Sequence, residues 1–359
     1  MALKDLISKN KNIKKYLEKS EQVLSLNEDF IDTGVLTLNI LYSGKLFGGI
    51  PKHKISMIAG KTQQGKSLQS MYLIKNAINK GMDVIFIDTE SALNEDMLKN
   101  SGVDKYVNDK LIIIPENDIT NVKQFVASLK EELSFEDMKN TLLVIDSWGG
   151  LINAKVLDDA TSGKDVADLQ TTRAKNSLAN ILATLSPMTV FVSNHTYESI
   201  GSFIPTPGGE ISGGSKIQYF ASAIVKTTSA KKDKTGDSIN GKIVTAVAEK
   251  GRYVKPGIKK QYLIDFTNGI DRYYGILDDA LEGGYVDKPS NGWYTRSCVE
   301  NDKKWREKEI IENAEEFWKP IFENTDFPKY IEAKYKLGGK FEDSTDLENW
   351  KINHTKRPV

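Results

Sequence analysis

The segment that most constrains this chain is Gly60-Lys61-Thr62-Gln63-Gln64-Gly65-Lys66-Ser67. An apolar run, Ile55-Ser56-Met57-Ile58-Ala59, leads into it, and helical periodicity from Lys66 to about Lys80 leads out. A strand, a glycine-bounded loop and a helix in that order point to a parallel sheet covered by helices. The spacing G-x-x-x-x-G-K-S is the P-loop pattern. Its glycines let backbone N–H groups curl toward an anion with no side chain in the way. The following helix points its positive end at the same place. In this pattern the Lys66 ammonium reaches terminal phosphates and the Ser67 hydroxyl ligates Mg²⁺. The expected ligand of residues 60–67 is therefore ATP with Mg²⁺.

The same alternation continues along the chain. Val84-Ile85-Phe86-Ile87-Asp88, Leu111-Ile112-Ile113-Ile114, Leu142-Leu143-Val144-Ile145-Asp146 and Thr189-Val190-Phe191-Val192 read as buried strands. Helical stretches from Val122 to Leu133 and from Thr172 to Leu185 separate them. Near-continuous apolar strands suit a sheet covered on both faces. Runs at Ala223 to Lys226, Ile243 to Val247 and Gln261 to Phe266 follow without long helices between, so they extend the sheet in antiparallel fashion. After Gly275 the texture changes to many charges, little strand signal, and Trp293, Trp305, Trp318 and Trp350. The expected organisation is an N-terminal helical arm over 1–30, an α/β core over 31–270 and a small, mainly helical C-terminal region over 271–359. The arm carries Lys4, Lys9, Lys11, Lys14, Lys15 and Lys19, with Leu6, Ile7, Ile13, Tyr16 and Leu17 at roughly helical spacing. So short a helix docks either on its own chain or on a neighbouring subunit.

Composition excludes some classes. With 49 basic and 49 acidic residues, net charge offers no whole-chain argument for nucleic acid, and any such argument is local. No run approaches the roughly 18–20 apolar residues needed to cross a bilayer, and the N-terminus has no secretory pattern. The single cysteine, Cys298, rules out an internal disulfide framework. A reducing, cytoplasmic setting is the expectation.

Two carboxylates stand at strand ends. Asp146 closes an apolar strand and reads as the Mg²⁺-holding acid beside the loop, with a helix cap as the alternative. Glu90 follows the strand ending at Asp88 and is either a water-orienting base or a surface carboxylate. The loop, Asp88-Thr89-Glu90, the strand to Asp146 and Val192-Ser193-Asn194-His195-Thr196 come in an order that resembles the RecA family of recombinases. The branch most similar is that of the UvsX recombinases of tailed bacteriophages. Ser193 to Glu198, Gly213-Gly214, Ala248-Glu249-Lys250-Gly251-Arg252 and Asn291-Gly292-Trp293-Tyr294 carry that likeness, which runs from about Asp32 to Tyr335.

The resemblance implies a RecA-type P-loop ATPase core and assigns roles by position. Glu90 becomes the catalytic carboxylate. Asn194 and His195 become sensors of the terminal phosphate, with His where much of the family has Gln. Lys250 and Arg252 become cations that reach the ATP of an adjacent subunit. Where the family frames adenine with Asp and Tyr, this chain has Asn94 and Met97. Loops at about 153–168, containing Thr161 to Lys164, and about 197–214 are implied to bind single-stranded DNA, with Phe203 or Ile204 wedging between bases. Ten basic residues between Lys226 and Lys260 form a local excess, although Lys231-Lys232-Asp233-Lys234 reads more simply as a solvated hairpin tip.

The function so implied is ATP-dependent strand exchange by a filament on single-stranded DNA that pairs with homologous duplex. A mediator or loader and a single-strand-binding protein are implied partners. A ring helicase on the same core, or an ATP-switched regulator that catalyses nothing, is the alternative.

Overall fold

The computed structural model describes residues 26, 28–154, 156, 169–197, 207–235 and 238–338. Residues 1–25 and 27 of the arm, Thr161 to Lys164 of the first loop, and Phe203 and Ile204 of the second lie outside those residues.

Short strands β1 (Phe30–Ile31) and β2 (Ile50–Pro51) flank helix α1 (Leu36–Ser43). Strand β3 (Ile55–Gly60) enters the glycine loop and α2 (Lys66–Asn79) leaves it. There follow β4 (Asp83–Asp88), α3 (Glu95–Ser101), β5 (Leu111–Pro115), α4 (Ile119–Glu132), α5 (Phe135–Lys139), β6 (Thr141–Asp146), α6 (Leu169–Leu182) and β7 (Thr189–Tyr197). Next come β8 (Glu210–Ile211), α7 (Ser215–Phe220), β9 (Ala223–Thr235), β10 (Ser238–Gly251), β11 (Lys259–Asp265) and β12 (Gly269–Ile270). The chain then forms α8 (Leu277–Glu282), the hairpin β13 (Val286–Ser290) and β14 (Trp293–Arg296), and helices α9 (Glu307–Glu312), α10 (Ala314–Asn324) and α11 (Phe327–Tyr335).

Among the described residues the main sheet has ten strands, ordered β12-β11-β10-β9-β3-β7-β6-β4-β5 with β8 on β7. From β9 to β5 the pairs are parallel. From β9 outward to β12 they are antiparallel. This is the expected α/β core with an antiparallel extension. The apolar strands are buried on both faces. Ile58, Val144 and Phe191 face one cluster with Ile74 and Ala77 of α2, while Met57, Ile145 and Val192 face another with Leu178 of α6. Each such side chain contributes about 1.5–3 kcal/mol through burial.

A third cluster joins the C-terminal elements to the core. All eight residues of α1 are buried. Leu38 and Leu41 belong to the core of the sheet, while Leu36 and Ile40 pack with Trp305, Phe317, Trp318 and Phe327. Helix α1 is thus a wedge shared by two cores, ended by Gly44 in the left-handed conformation at φ 72°. The hairpin β13–β14 departs from the helical expectation for this region. Asp287, Lys288 and Pro289 give its first strand no alternating apolar pattern, and among the described residues it pairs with β14 alone. The local signal was Asn291-Gly292, with Gly292 at φ 76° in the turn.

Candidate active site

The carboxyl ends of β3, β7, β6 and β4 lie side by side. Gly60 is level with His195, Ala59 with Asn194, Ile145 with Val192, and Asp88 with Asp146. This is the edge where open parallel sheets place ligands.

The glycine loop has no room for larger residues at its ends. A Cβ on Gly60 would lie 1.7 Å from the Thr227 hydroxyl, and one on Gly65 would lie 2.8 Å from Ile264. Gly65 also sits at φ 78° immediately before α2. The Tyr262 hydroxyl donates to the Gln64 carbonyl at 2.8 Å, and Lys242 Nζ donates to the Gln63 carbonyl at 3.3 Å. Lys66 is buried, and its Nζ donates to the carbonyls of Gly60 at 3.0 Å and Lys61 at 2.9 Å. Burial lowers the Lys66 pKa, against the opposing pull of Asp146 and Glu90.

Burial pushes the Asp146 carboxyl up, while the Ser193 hydroxyl, which donates to Oδ1, and the nearby Ser67 hydroxyl pull it down. A carboxylate with the Ser67 hydroxyl near it offers oxygen donors, which suit a hard cation such as Mg²⁺. The glycine cradle and the N-terminus of α2 suit a polyphosphate.

Glu90 is positioned by the turn before it. Asp88 accepts from the backbone N–H groups of Glu90, Ala92 and Leu93, and so shapes residues 88–93. Glu90 Oε1 accepts from the Ser147 hydroxyl and lies 2.6 Å from His195 Nε2. Burial raises its pKa, but hydrogen bonds from Ser147 and His195 and the charge of Lys66 outweigh this and hold the carboxyl below its ordinary range. From His195 the contacts run on. Asn194 Oδ1 accepts from the His195 N–H at 2.8 Å and the Ser212 hydroxyl at 2.9 Å, and its Nδ2 donates to the Ser212 carbonyl at 2.9 Å. Ser212 roots the returning side of the second loop beside β8.

Lys250 and Arg252 stand elsewhere. Lys250 is level with Ile224, and Ile224 with Met57. That is three residues back from Gly60, roughly 10 Å along the strand, and two strands over, roughly 10 Å more. Lys250 Nζ instead donates to the carbonyls of Gln218 at 2.9 Å and Tyr219 at 2.7 Å, at the end of α7. Burial and then the neighbouring Arg252 lower its pKa. The ring of Tyr219 beside it is 77% exposed.

Asn94 caps α3, its Oδ1 accepting from the Met97 N–H at 2.9 Å, so this side chain is committed to the helix. Five of the ten basic residues of 226–260 are engaged within the fold. Lys226 pairs with Glu249, Lys260 with buried Asp279, and Lys242, Lys250 and Lys255 hold backbone carbonyls. Ser147, Ser212 and Lys242 carry no motif, and only their contacts reveal them.

A phosphate cradle on the central strand, with a buried carboxylate two strands away, is the architecture of P-loop nucleotide-binding proteins. The chain belongs to the RecA family, whose N-terminal domain matches residues 5–271. Residues 273–331 match the C-terminal domain of the bacteriophage T4 recombination and repair protein. To that protein, from Enterobacteria phage T4, the chain is 29% identical over 327 residues, covering 87% of this chain and 80% of the relative. To the RecA protein of Streptomyces rimosus it is 28% identical over 304 residues, covering 83% and 76%. The crystal structure of the RadB recombinase is similar at TM-score 0.46 and 18% identity, over 67% of this chain and 98% of that one. No helix among the described residues is long and apolar enough to cross a membrane.

Proposed function

We propose that this chain is an ATP-dependent strand-exchange recombinase that assembles as a filament on single-stranded DNA and pairs it with homologous duplex. The observation that carries the reading is the unbroken contact path Glu90–His195–Asn194–Ser212 from the nucleotide edge to the root of the second loop. Such a path gives DNA on that loop a route to the carboxylate, and the carboxylate a route back to the loop.

In this reading Gly60, Lys61, Thr62, Gln63, Gln64 and Gly65 cradle the triphosphate with their backbone, and Lys66 meets its terminal phosphates. Ser67 and Asp146 hold Mg²⁺, which neutralises phosphate charge when bound. Glu90, kept ionised by its partners, orients the attacking water. His195 and Asn194 sense the terminal phosphate. Lys250 and Arg252 sit too far from their own loop to serve it, and so serve a neighbour's site in trans. ATP between subunits then favours the DNA-gripping state, by as much as its affinity differs between the two states. The arm over 1–30 makes the subunit contact, 31–270 is the ATPase core, and 271–359 a small appended region. The setting is cytoplasmic, with a mediator and a single-strand-binding protein as helpers.

Incubation with a single-stranded circle, a homologous linear duplex and Mg-ATP tests this. Joint molecules are the expected product. Unwinding without pairing identifies a helicase, and neither outcome identifies a regulator; both overturn the proposal.

A further inference from the structure

The roots of the two loops are fastened to each other by groups that the nucleotide site does not use. Trp148, wholly buried, follows Asp146 by two residues and donates from Nε1 to the Gly213 carbonyl at 2.8 Å. Lys175, 6% exposed on α6, donates from Nζ to the Gly149 carbonyl at 3.2 Å. Gly213 closes over both. Its φ is 78°, and a Cβ there would lie 2.7 Å from the Trp148 ring and 3.5 Å from the Lys175 chain. Gly214 at φ 89° packs on Asn176 and Thr172 of the same helix. One junction therefore joins the outgoing root of the first loop, its return helix and the return of the second loop.

The other side of the junction is the active edge. A Cβ on Gly149 would lie 2.8 Å from His195 Cδ2, and one on Gly150 would lie 3.1 Å from Glu90 Cγ. The Gly149–Gly150 turn thus packs closely on Glu90 and His195, and its position sets the space those two side chains have. An ammonium kept from water costs free energy unless its protons are matched. Gly213 packs beside the Lys175 chain, so displacing Gly213 disturbs the side chain that donates to the Gly149 carbonyl.

We propose that Lys175 and Trp148 are positioning residues that lock the roots of both loops into one element, so that DNA held by either loop sets the Gly149–Gly150 turn against Glu90 and His195. The inference rests on the reading above that these loops meet DNA. It adds a second connection, through β6 and α6, to the path through Asn194.

The test measures ATP hydrolysis with and without single-stranded DNA, nucleotide affinity, and Tm, for the full chain. Lys175→Met keeps the apolar stem of the side chain, one atom shorter, and removes the charge. It should leave basal hydrolysis and nucleotide affinity within about twofold and cut the DNA-stimulated part about tenfold, equivalent to about 1.4 kcal/mol of coupling. Trp148→Phe removes the donor to Gly213 together with part of a buried ring, so Tm falls as well, and it should cut stimulation about threefold. The double variant should lose no more than Lys175→Met alone, since each change opens the same junction. A merely structural role would lower Tm and leave the ratio of stimulated to basal rate intact, overturning the inference. Stimulated wild type with unimpaired variants overturns it alone; a wild type that DNA does not stimulate removes the proposed function with it.

Discussion

The carboxyl edge of the sheet and the C-terminal aromatic cluster both bury charge, and they do so in opposite ways. In the C-terminal region each buried charge meets its opposite. Arg296 NH2 lies 2.6 Å from Asp302 Oδ1, its Nε donates to Oδ2 at 3.0 Å, and its guanidinium lies 5.1 Å from the centre of the Trp305 ring. Asp279 takes Lys260, Lys334 and the Tyr335 hydroxyl. At the sheet edge Lys66 rests on two carbonyls and Asp146 on hydroxyls. Charges satisfied by neutral groups retain capacity for a charged ligand; charges neutralised by one another do not. Truncation should therefore cost activity in the first region and stability in the second.

The strongest attempt to break that contrast is Lys66→Ala. It should lower ATP hydrolysis at least about a thousandfold and abolish nucleotide-dependent assembly, while Tm stays near wild type. A variant that unfolds would place Lys66 with the structural charges. Replacing Lys250 and Arg252 together by alanine should remove DNA-stimulated hydrolysis by about tenfold to a hundredfold and leave the monomer's nucleotide affinity unchanged. Retained stimulation would refute the trans role. In the C-terminal region Arg296→Ala should cost about 3–5 kcal/mol, because the Asp302 carboxylate is left without its opposite charge. Denaturant titration reads that loss, and nucleotide affinity of the folded fraction should not change. The sign with pH also follows. Burial raises the Asp302 pKa, but the hydrogen bonds and charge of Arg296 outweigh it and hold the carboxyl below its ordinary range. The pair's stabilisation is present above the unfolded value, about 3.9, and is lost as pH falls through the folded one. A stability difference between wild type and Arg296→Ala that shrinks as pH falls through that range is the expected signature.

What the sequence made legible was local. The loop at 60–67 and the strands ending at Asp88 and Asp146 are contiguous patterns with one physical reading each. The pairing of Glu90 with His195 spans 105 positions and depends on the register of β3, β7, β6 and β4, which no short pattern encodes. Lys175 and Lys242 likewise acquire meaning only from what the fold sets beside them. Asn94 shows a legible signal passed over. An Asn followed by Glu95 and Asp96 is an N-cap pattern, and the structure uses it so. The lysines of 226–260 show the limit of counting charge, since on long antiparallel strands neighbours in sequence face different partners.

The smallest predicted effect examines the seam between the two regions. Lys260 belongs to the sheet, whereas Asp279, Lys334 and Tyr335 belong to the C-terminal elements. Burial lowers the Lys260 pKa, partly offset by Asp279, so this ammonium depends on its partner. Tyr335→Phe removes one donor to Asp279 while its two lysines remain, and should cost about 1–2 kcal/mol. How that loss is distributed decides whether the regions are separable. If Asp279 and the wedge of α1 tie them into one cooperative unit, a single unfolding transition moves by the whole amount. If the C-terminal region unfolds by itself, a first transition moves, while a second, shifted by bound nucleotide, stays in place.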